Sequence, residues 1–327
     1  MKNYLILILF CAISILFIPL AMAEPSSAPE STTQPATEQL TVTENNETNQ
    51  PETISVFRTV NNKAEEITFF EYVCGSVAAE MPLAYNEEAL KAQAVACYTN
   101  ALRQKNSGTE KNGDISDDTA VHQGYIDADQ RKEKWGKDFD KYEKKLQKAV
   151  RAVEGEALYY KNQLCVAAFC AISNGKTEDA ENLWGTKMPY LVSVDSEGDT
   201  LSPTYASTVS FSKEEFLEIA QKLGADKEKL SDLKTSIKIT KKSLSGTVLK
   251  ISVGGKEFTG EEIRKAFSLR SPTFTVKTTK NAVTFNVSGY GHGIGMSQYG
   301  ANYLAENGYS YKDILEHYYS GAKTIKK

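Results

Sequence analysis

Pro82 separates two runs of helix-forming residues and restricts this stretch of the chain to a helical hairpin. Upstream, Ile67, Phe70, Val73, Cys74 and Val77 recur at helical spacing, the pattern of a helix with one buried face. A proline pushes the residue before it out of the α region, so this helix is expected to end at or near Glu80. Downstream, Asn86 reads as an N-cap, with Glu87 and Glu88 in the first turn where they complement the helix dipole. The second helix is expected from about Glu88 to Lys105. Leu90, Ala94, Cys97 and Ala101 fall on one face, and its alanines let a neighbour approach closely.

Glu80 is the candidate general acid. Unsatisfied carbonyls and the negative end of the dipole at a helix C-terminus disfavour a carboxylate. Val77 and Met81 would add desolvation, which acts in the same direction. A carboxyl kept protonated near neutral pH can donate to a leaving group. The alternative is a solvated glutamate at a helix end with no chemical role.

Further along, residues 106–118 are polar and turn-rich, and His122-Gln-Gly-Tyr125 follows. Gln123 and Tyr125 can hydrogen-bond or stack on a sugar ring, or simply pair at a strand edge. Between Asp129 and Val153, the residues Trp135, Phe139, Tyr142, Leu146 and Val150 form one apolar stripe. One amphipathic helix is expected there, with its charges on a solvated face. A strand pair is expected from Val153 to Ile172, turning at Lys161-Asn-Gln and delivering Ser173-Asn-Gly175 on a tight loop. Trp184 offers a surface for sugar faces, although a lone tryptophan is commonly core.

A capped helix from Ser212 to Leu223, short strands on either side of Ser245-Gly246, a helix from Glu261 to Phe267 and strands near 274–276 and 283–287 read as an α/β elaboration without a catalytic signature. The glycine-rich run Gly289 to Gly300 lacks both the GxGxxG spacing and a P-loop Gly-Lys-Ser/Thr, which excludes a nucleotide loop. It leaves His292 and Gln298 where glycines permit close backbone approach to a ligand. Gly308 and Ser310 should end one terminal helix and cap the next.

Three stretches, in order, resemble the stage II sporulation protein D family, the SpoIID/LytB domain. They are Glu80-Met-Pro with Glu88-Ala-Leu-Lys-Ala-Gln-Ala-Val95-Ala; Phe169-Cys-Ala-Ile-Ser-Asn-Gly-Lys-Thr-Glu178 running on to Trp184-Gly and Pro189-Tyr-Leu-Val-Ser-Val-Asp195; and Gly289-Tyr-Gly-His-Gly-Ile-Gly-Met-Ser-Gln-Tyr-Gly-Ala301. The resemblance implies a lytic transglycosylase that cuts peptidoglycan strands, with Glu80 as catalyst. His122-Gln-Gly-Tyr125 resembles the family's short His-Gln-x-Tyr element near the active site, and Gln123, Tyr125, Ser173, Asn174, Gly175, His292 and Gln298 are the candidate substrate contacts, the alternative for His292 and Gln298 being plain turn chemistry. A single carboxyl serves this chemistry, so the paired carboxylates of ordinary glycosidases are not required. Where the family usually has His and Gly, this chain has Cys170 and Asn174. Candidate partners are glycan strands, a peptidoglycan amidase and membrane proteins of an engulfment complex. The alternative is a wall-binding or amidase-stimulating module that does not cut.

Lys2 precedes an apolar run from Tyr4 to Ala23 that is long enough to span a bilayer and ends in Ala21-Met-Ala23, a pattern signal peptidase accepts. Residues 1–23 are therefore a signal peptide or a membrane anchor, and an extracytoplasmic location is expected. Residues 24–53 are rich in Pro, Ser, Thr, Asn and Glu, the composition of a disordered tether. Residues 54–327 are expected to form one α+β domain, the paired helices carrying Glu80. Removing the first 23 residues leaves 37 basic against 42 acidic side chains, which argues against nucleic acid. Any muramic carboxylate must then be met by local donors. No cofactor is expected. Cys165-x4-Cys170 with His122 lacks a fourth ligand, so no metal is expected, and Cys74, Cys97, Cys165 and Cys170 read as buried thiols or bridges.

Overall fold

The computed structural model describes residues 52–326. The expected signal or anchor, and the tether up to residue 51, lie outside the described residues. Thr53, placed in the tether by composition, opens the first strand and pairs with Thr68.

In chain order the elements are β1 (Thr53–Arg58), β2 (Lys63–Thr68), α1 (Phe69–Glu80), α2 (Glu87–Ser107), β3 (Ile115–Ser116), α3 (Ala128–Trp135), α4 (Phe139–Ala152), β4 (Glu156–Tyr160), β5 (Gln163–Leu164), β6 (Phe169–Cys170) and α5 (Ala180–Trp184). Then come β7 (Ala206–Ser212), α6 (Lys213–Lys222), α7 (Leu233–Ser236), β8 (Ile237–Lys242), β9 (Val248–Val253), β10 (Lys256–Phe258), α8 (Gly260–Ala266), β11 (Phe274–Thr278) and β12 (Ala282–Ser288). The chain finishes with β13 (Met296–Ser297), α9 (Gln298–Glu306), α10 (Tyr311–Tyr318) and β14 (Lys323–Lys326). The class is mixed α+β, built on several small sheets.

Two hydrophobic cores form where one was expected. The first gathers α1, α2, α4, α9 and α10 with β1 and β4. The second lies entirely within residues 209–287, where α6 and α8 cover β7, β9, β11 and β12 around Phe216, Phe267, Phe274 and Phe285. The α/β elaboration thus carries a core of its own.

At the centre of the first core, α2 is buried on nearly every side and touches α1, α4, α9, α10 and β4. The sequence suggested one packed face. Alanine has no side to prefer, however, so Ala89, Ala92, Ala94, Ala96 and Ala101 admit neighbours all round. The amphipathic segment after residue 128 is two helices, because Gly136 adopts φ 51° and breaks the run between α3 and α4.

The charges on α3 and α4 are not all solvated. Arg131 is fully buried; it donates to Glu143 through Nε at 3.0 Å and to Glu71 of α1 at 2.8 Å, which ties three helices together. Arg58 is likewise buried, bonded to Asp117 and Asp127, and lies over the Tyr125 ring.

Candidate active site

Helix α1 is capped by Thr68, whose hydroxyl accepts the Glu71 amide, and ends where Met81 turns extended ahead of Pro82. Glu80 is its last residue, as the proline spacing predicts. Lys134 donates to the Ala78 carbonyl at 2.8 Å, and Lys145 donates to the Leu83 carbonyl at 2.9 Å and the Tyr85 carbonyl at 2.5 Å. Of these carbonyls only Ala78 belongs to the last turn of α1, so Lys134 takes up one of the loose helix carbonyls that disfavour the Glu80 carboxylate, while Lys145 fastens the loop beyond Pro82. Burial is instead the main cause that raises its pKa. The Gly124 amide, donating to Oε1 at 2.5 Å, and the Lys134 charge pull the other way without cancelling it. A β-carbon on Gly124 would stand 3.1 Å from that same oxygen and from the Ala79 Cβ, so any larger residue here would crowd the Glu80 carboxyl.

Glu80 opens into a groove of about 350 Å³ that also receives Gln123, His292, Trp184, Asn100 and Arg103. Two of the expected site residues, Gln123 and His292, are therefore brought to Glu80, and both are already engaged with the protein. Gln123 donates to the Tyr72 hydroxyl at 3.1 Å and the Cys97 carbonyl at 3.0 Å. His292 accepts the Ile294 amide on Nδ1 at 2.9 Å and bonds the Phe169 backbone; burial lowers its pKa to about 4, so it is a neutral imidazole. Its ring centre lies 5.7 Å from that of Trp184, which is 36% exposed at the groove wall and not core.

The other expected residues lie elsewhere. Tyr125 is buried and stacked on Tyr72, with centroids 5.4 Å apart. Ser173 is buried against Asp199, receiving no solvent-facing role, and Asn174 bridges Tyr205 and the Ser245 carbonyl at 2.8 Å each. Gly175, at φ 81°, turns the same loop. Gln298 is buried and donates to Gln93 at 3.3 Å. None of the five lines the groove, and the glycine run itself packs on protein backbone. A β-carbon on Gly295 would fall 2.0 Å from the Ala168 carbonyl oxygen, so the close approach these glycines permit is to the segment around β6.

Sequence reasoning missed Asn100 and Arg103, which follow the apolar face of α2 and look like ordinary exposed positions. Asn100 clamps the Ala167 backbone with two bonds of 3.0 Å, fixing the groove wall to the helix. Gly124 was legible only as the variable position of a His-Gln-x-Tyr pattern. Cys74, Cys97, Cys165 and Cys170 are free and buried, and burial raises Cys165 and Cys170 to about 12. Among the described residues no cluster of three or more His, Cys, Asp or Glu is placed to hold a metal.

Residues 58–160 match the SpoIID family, described as stage II sporulation protein. The chain is 41% identical over 274 residues to stage II sporulation protein D of Bacillus amyloliquefaciens, covering 83% of this chain and 78% of that one. It is 40% identical over 276 residues to the protein of the same name from Bacillus subtilis, covering 84% and 79%. It is also 30% identical over 300 residues to a Bacillus subtilis protein named amidase enhancer, covering 76% of this chain and 39% of that one.

Proposed function

Because this chain belongs to the stage II sporulation protein D family, we propose that it is a peptidoglycan lytic transglycosylase cutting glycan strands, preferably peptide-stripped ones, to anhydromuramoyl ends. The observation that carries the proposal is Glu80, a carboxyl biased toward its protonated form by burial, in a groove with no second carboxylate among its described lining residues. Hydrolytic glycosidases generally need two carboxylates, one of them to activate water or attack the sugar. A single acid suits an intramolecular displacement.

In that reaction Glu80 gives its proton to the bridging glycosidic oxygen as the bond from muramic C1 breaks. The C6 hydroxyl oxygen of the same sugar bonds to C1, and its proton returns to Glu80. No water is consumed. Between the two transfers the carboxylate is held by the Gly124 amide and the Lys134 charge. Trp184 supplies a face on which a sugar ring stacks.

The relatives' names support a role in sporulation; we propose wall remodelling such as engulfment, on the extracytoplasmic side, with the protein held by its N-terminal apolar segment or released after cleavage. An amidase acting upstream would supply stripped strands, and membrane proteins of an engulfment complex are candidate partners. The relative named amidase enhancer favours one second reading, a module that stimulates an amidase without cutting. Mass spectrometry of sugars released from purified glycan strands separates the two. Products one water lighter than hydrolysed ends, lost in Glu80→Gln while strand binding persists, are expected. Hydrolysed ends, or no release by the unaltered chain, would exclude the transglycosylase.

A further inference from the structure

The groove contains one permanent charge. Of its described lining residues only Glu80, Arg103, His122 and His292 can ionise. Burial biases Glu80 toward its neutral acid and lowers the pKa of both histidines, so neither imidazole carries charge near neutral pH. Arg103 keeps its charge under all ordinary conditions. Among the described residues no carboxylate forms an ion pair with it, although Arg58, Arg131, Arg151 and Arg264 each have one. Its Nε is buried and has no acceptor. A half-buried guanidinium without an anion is an incomplete arrangement, and its planar fork suits a carboxylate.

Resting on the transglycosylase reading, we propose that Arg103 is the specificity-determining residue of the groove, pairing with the free lactyl carboxylate of a peptide-stripped muramic acid. A stem peptide converts that carboxylate to an amide, which removes the charge and adds bulk at the same point. The mature chain is acidic overall and offers no broad attraction to an anionic polymer, so a local cation is what remains to read it. Arg103 lies one helical turn beyond Asn100, whose clamp on Ala167 fixes the helix against the opposite wall.

The test uses the full-length chain carrying Glu80→Gln, so that binding is measured without cleavage. Two ligands are compared: peptide-stripped glycan strands, and the same strands with their lactyl carboxylates converted to methylamides. The expected result is about tenfold tighter binding of the carboxylate form, the advantage weakening as salt is added. Adding Arg103→Ala should weaken binding of the carboxylate form alone and close the gap; Arg103→Lys should restore part of it. Equal affinity of the two strands for the Arg103-containing chain overturns the proposal, whether or not the variants fold. Equal weakening of both strands by Arg103→Ala, unrelieved by lysine, assigns Arg103 a structural role and overturns it as well. Carboxylate-dependent binding by a chain whose Glu80-containing form never cleaves would refute the transglycosylase reading and leave the Arg103 assignment standing.

Discussion

At the scale of single residues, the decisive quantity is the free energy separating the two protonation states of Glu80. Its raised pKa means that the folded protein binds more protons than the unfolded chain between the ordinary carboxyl range and the raised value. Stability contributed by this group therefore falls as pH rises through that window. Glu80→Gln removes the loss and is expected to stabilise the fold at higher pH by about 1.4 kcal/mol per unit of elevation. Cleavage should decline over the same window, because the carboxylate cannot begin the reaction. Thermal melts of the two proteins from pH 4 to 8, set beside cleavage rates, test both limbs. A flat difference in melting with pH-dependent cleavage would show that substrate, not the apo groove, poises the acid. The place of Glu80 was readable from Pro82, since a proline acts on its immediate neighbour. The groups that set its pKa were not: Gly124 and Lys134 reach it from 44 and 54 positions away, and no local pattern encodes such meetings.

Individual elements were legible where short-range rules decide them. The N-caps Asn86, Ser212 and Ser310 all take the predicted amide bonds, and the 156–164 hairpin turns at Lys161 and Asn162, both with positive φ. The inner and outer faces of α3 were misread, because an arginine scores as polar whether it meets water or two buried carboxylates. The structure makes Arg131 the fastening of α1, α3 and α4. Removing one member of a buried charge cluster leaves the others unpaired, at a typical cost of about 3–5 kcal/mol. Arg131→Ala is accordingly expected to lower the urea midpoint strongly while leaving the slope unchanged. A loss below about 1 kcal/mol would mean that water reaches Glu71 and Glu143 well enough to replace the arginine.

At the scale of the molecule, the two hydrophobic cores share no buried apolar residue among the described residues, and polar contacts join them. Glu178, in the segment that also carries the α5 groove wall, accepts hydroxyl protons from Ser243 at 2.6 Å and from Ser245, and an amide proton from Asn182 at 2.7 Å. Nothing in the chain's periodicity announced this seam, since serines flanking a glycine look like turn chemistry and a glutamate after a threonine looks like surface. Burial alone would raise the Glu178 pKa, but the hydrogen bonds from Ser243, Ser245, Thr247 and Asn182 together outweigh it and lower the value. The sign is opposite to that of Glu80. The stability Glu178 contributes is present above the ordinary carboxyl range and is lost as pH falls through its depressed value. Acid should therefore loosen the second core from the first before either core melts. Hydrogen exchange reads this directly: at pH 7, Glu178→Ala should speed exchange of the Thr247 and Asp179 amides, which lie at the seam, while β11 and β12 inside the second core stay protected. The global cost should be about 1–3 kcal/mol, the range for leaving buried hydroxyls without their acceptor. Should the whole of residues 206–288 lose protection together with the seam, the second core would depend on the first for its folding, and the two would form one cooperative unit despite their separate apolar interiors.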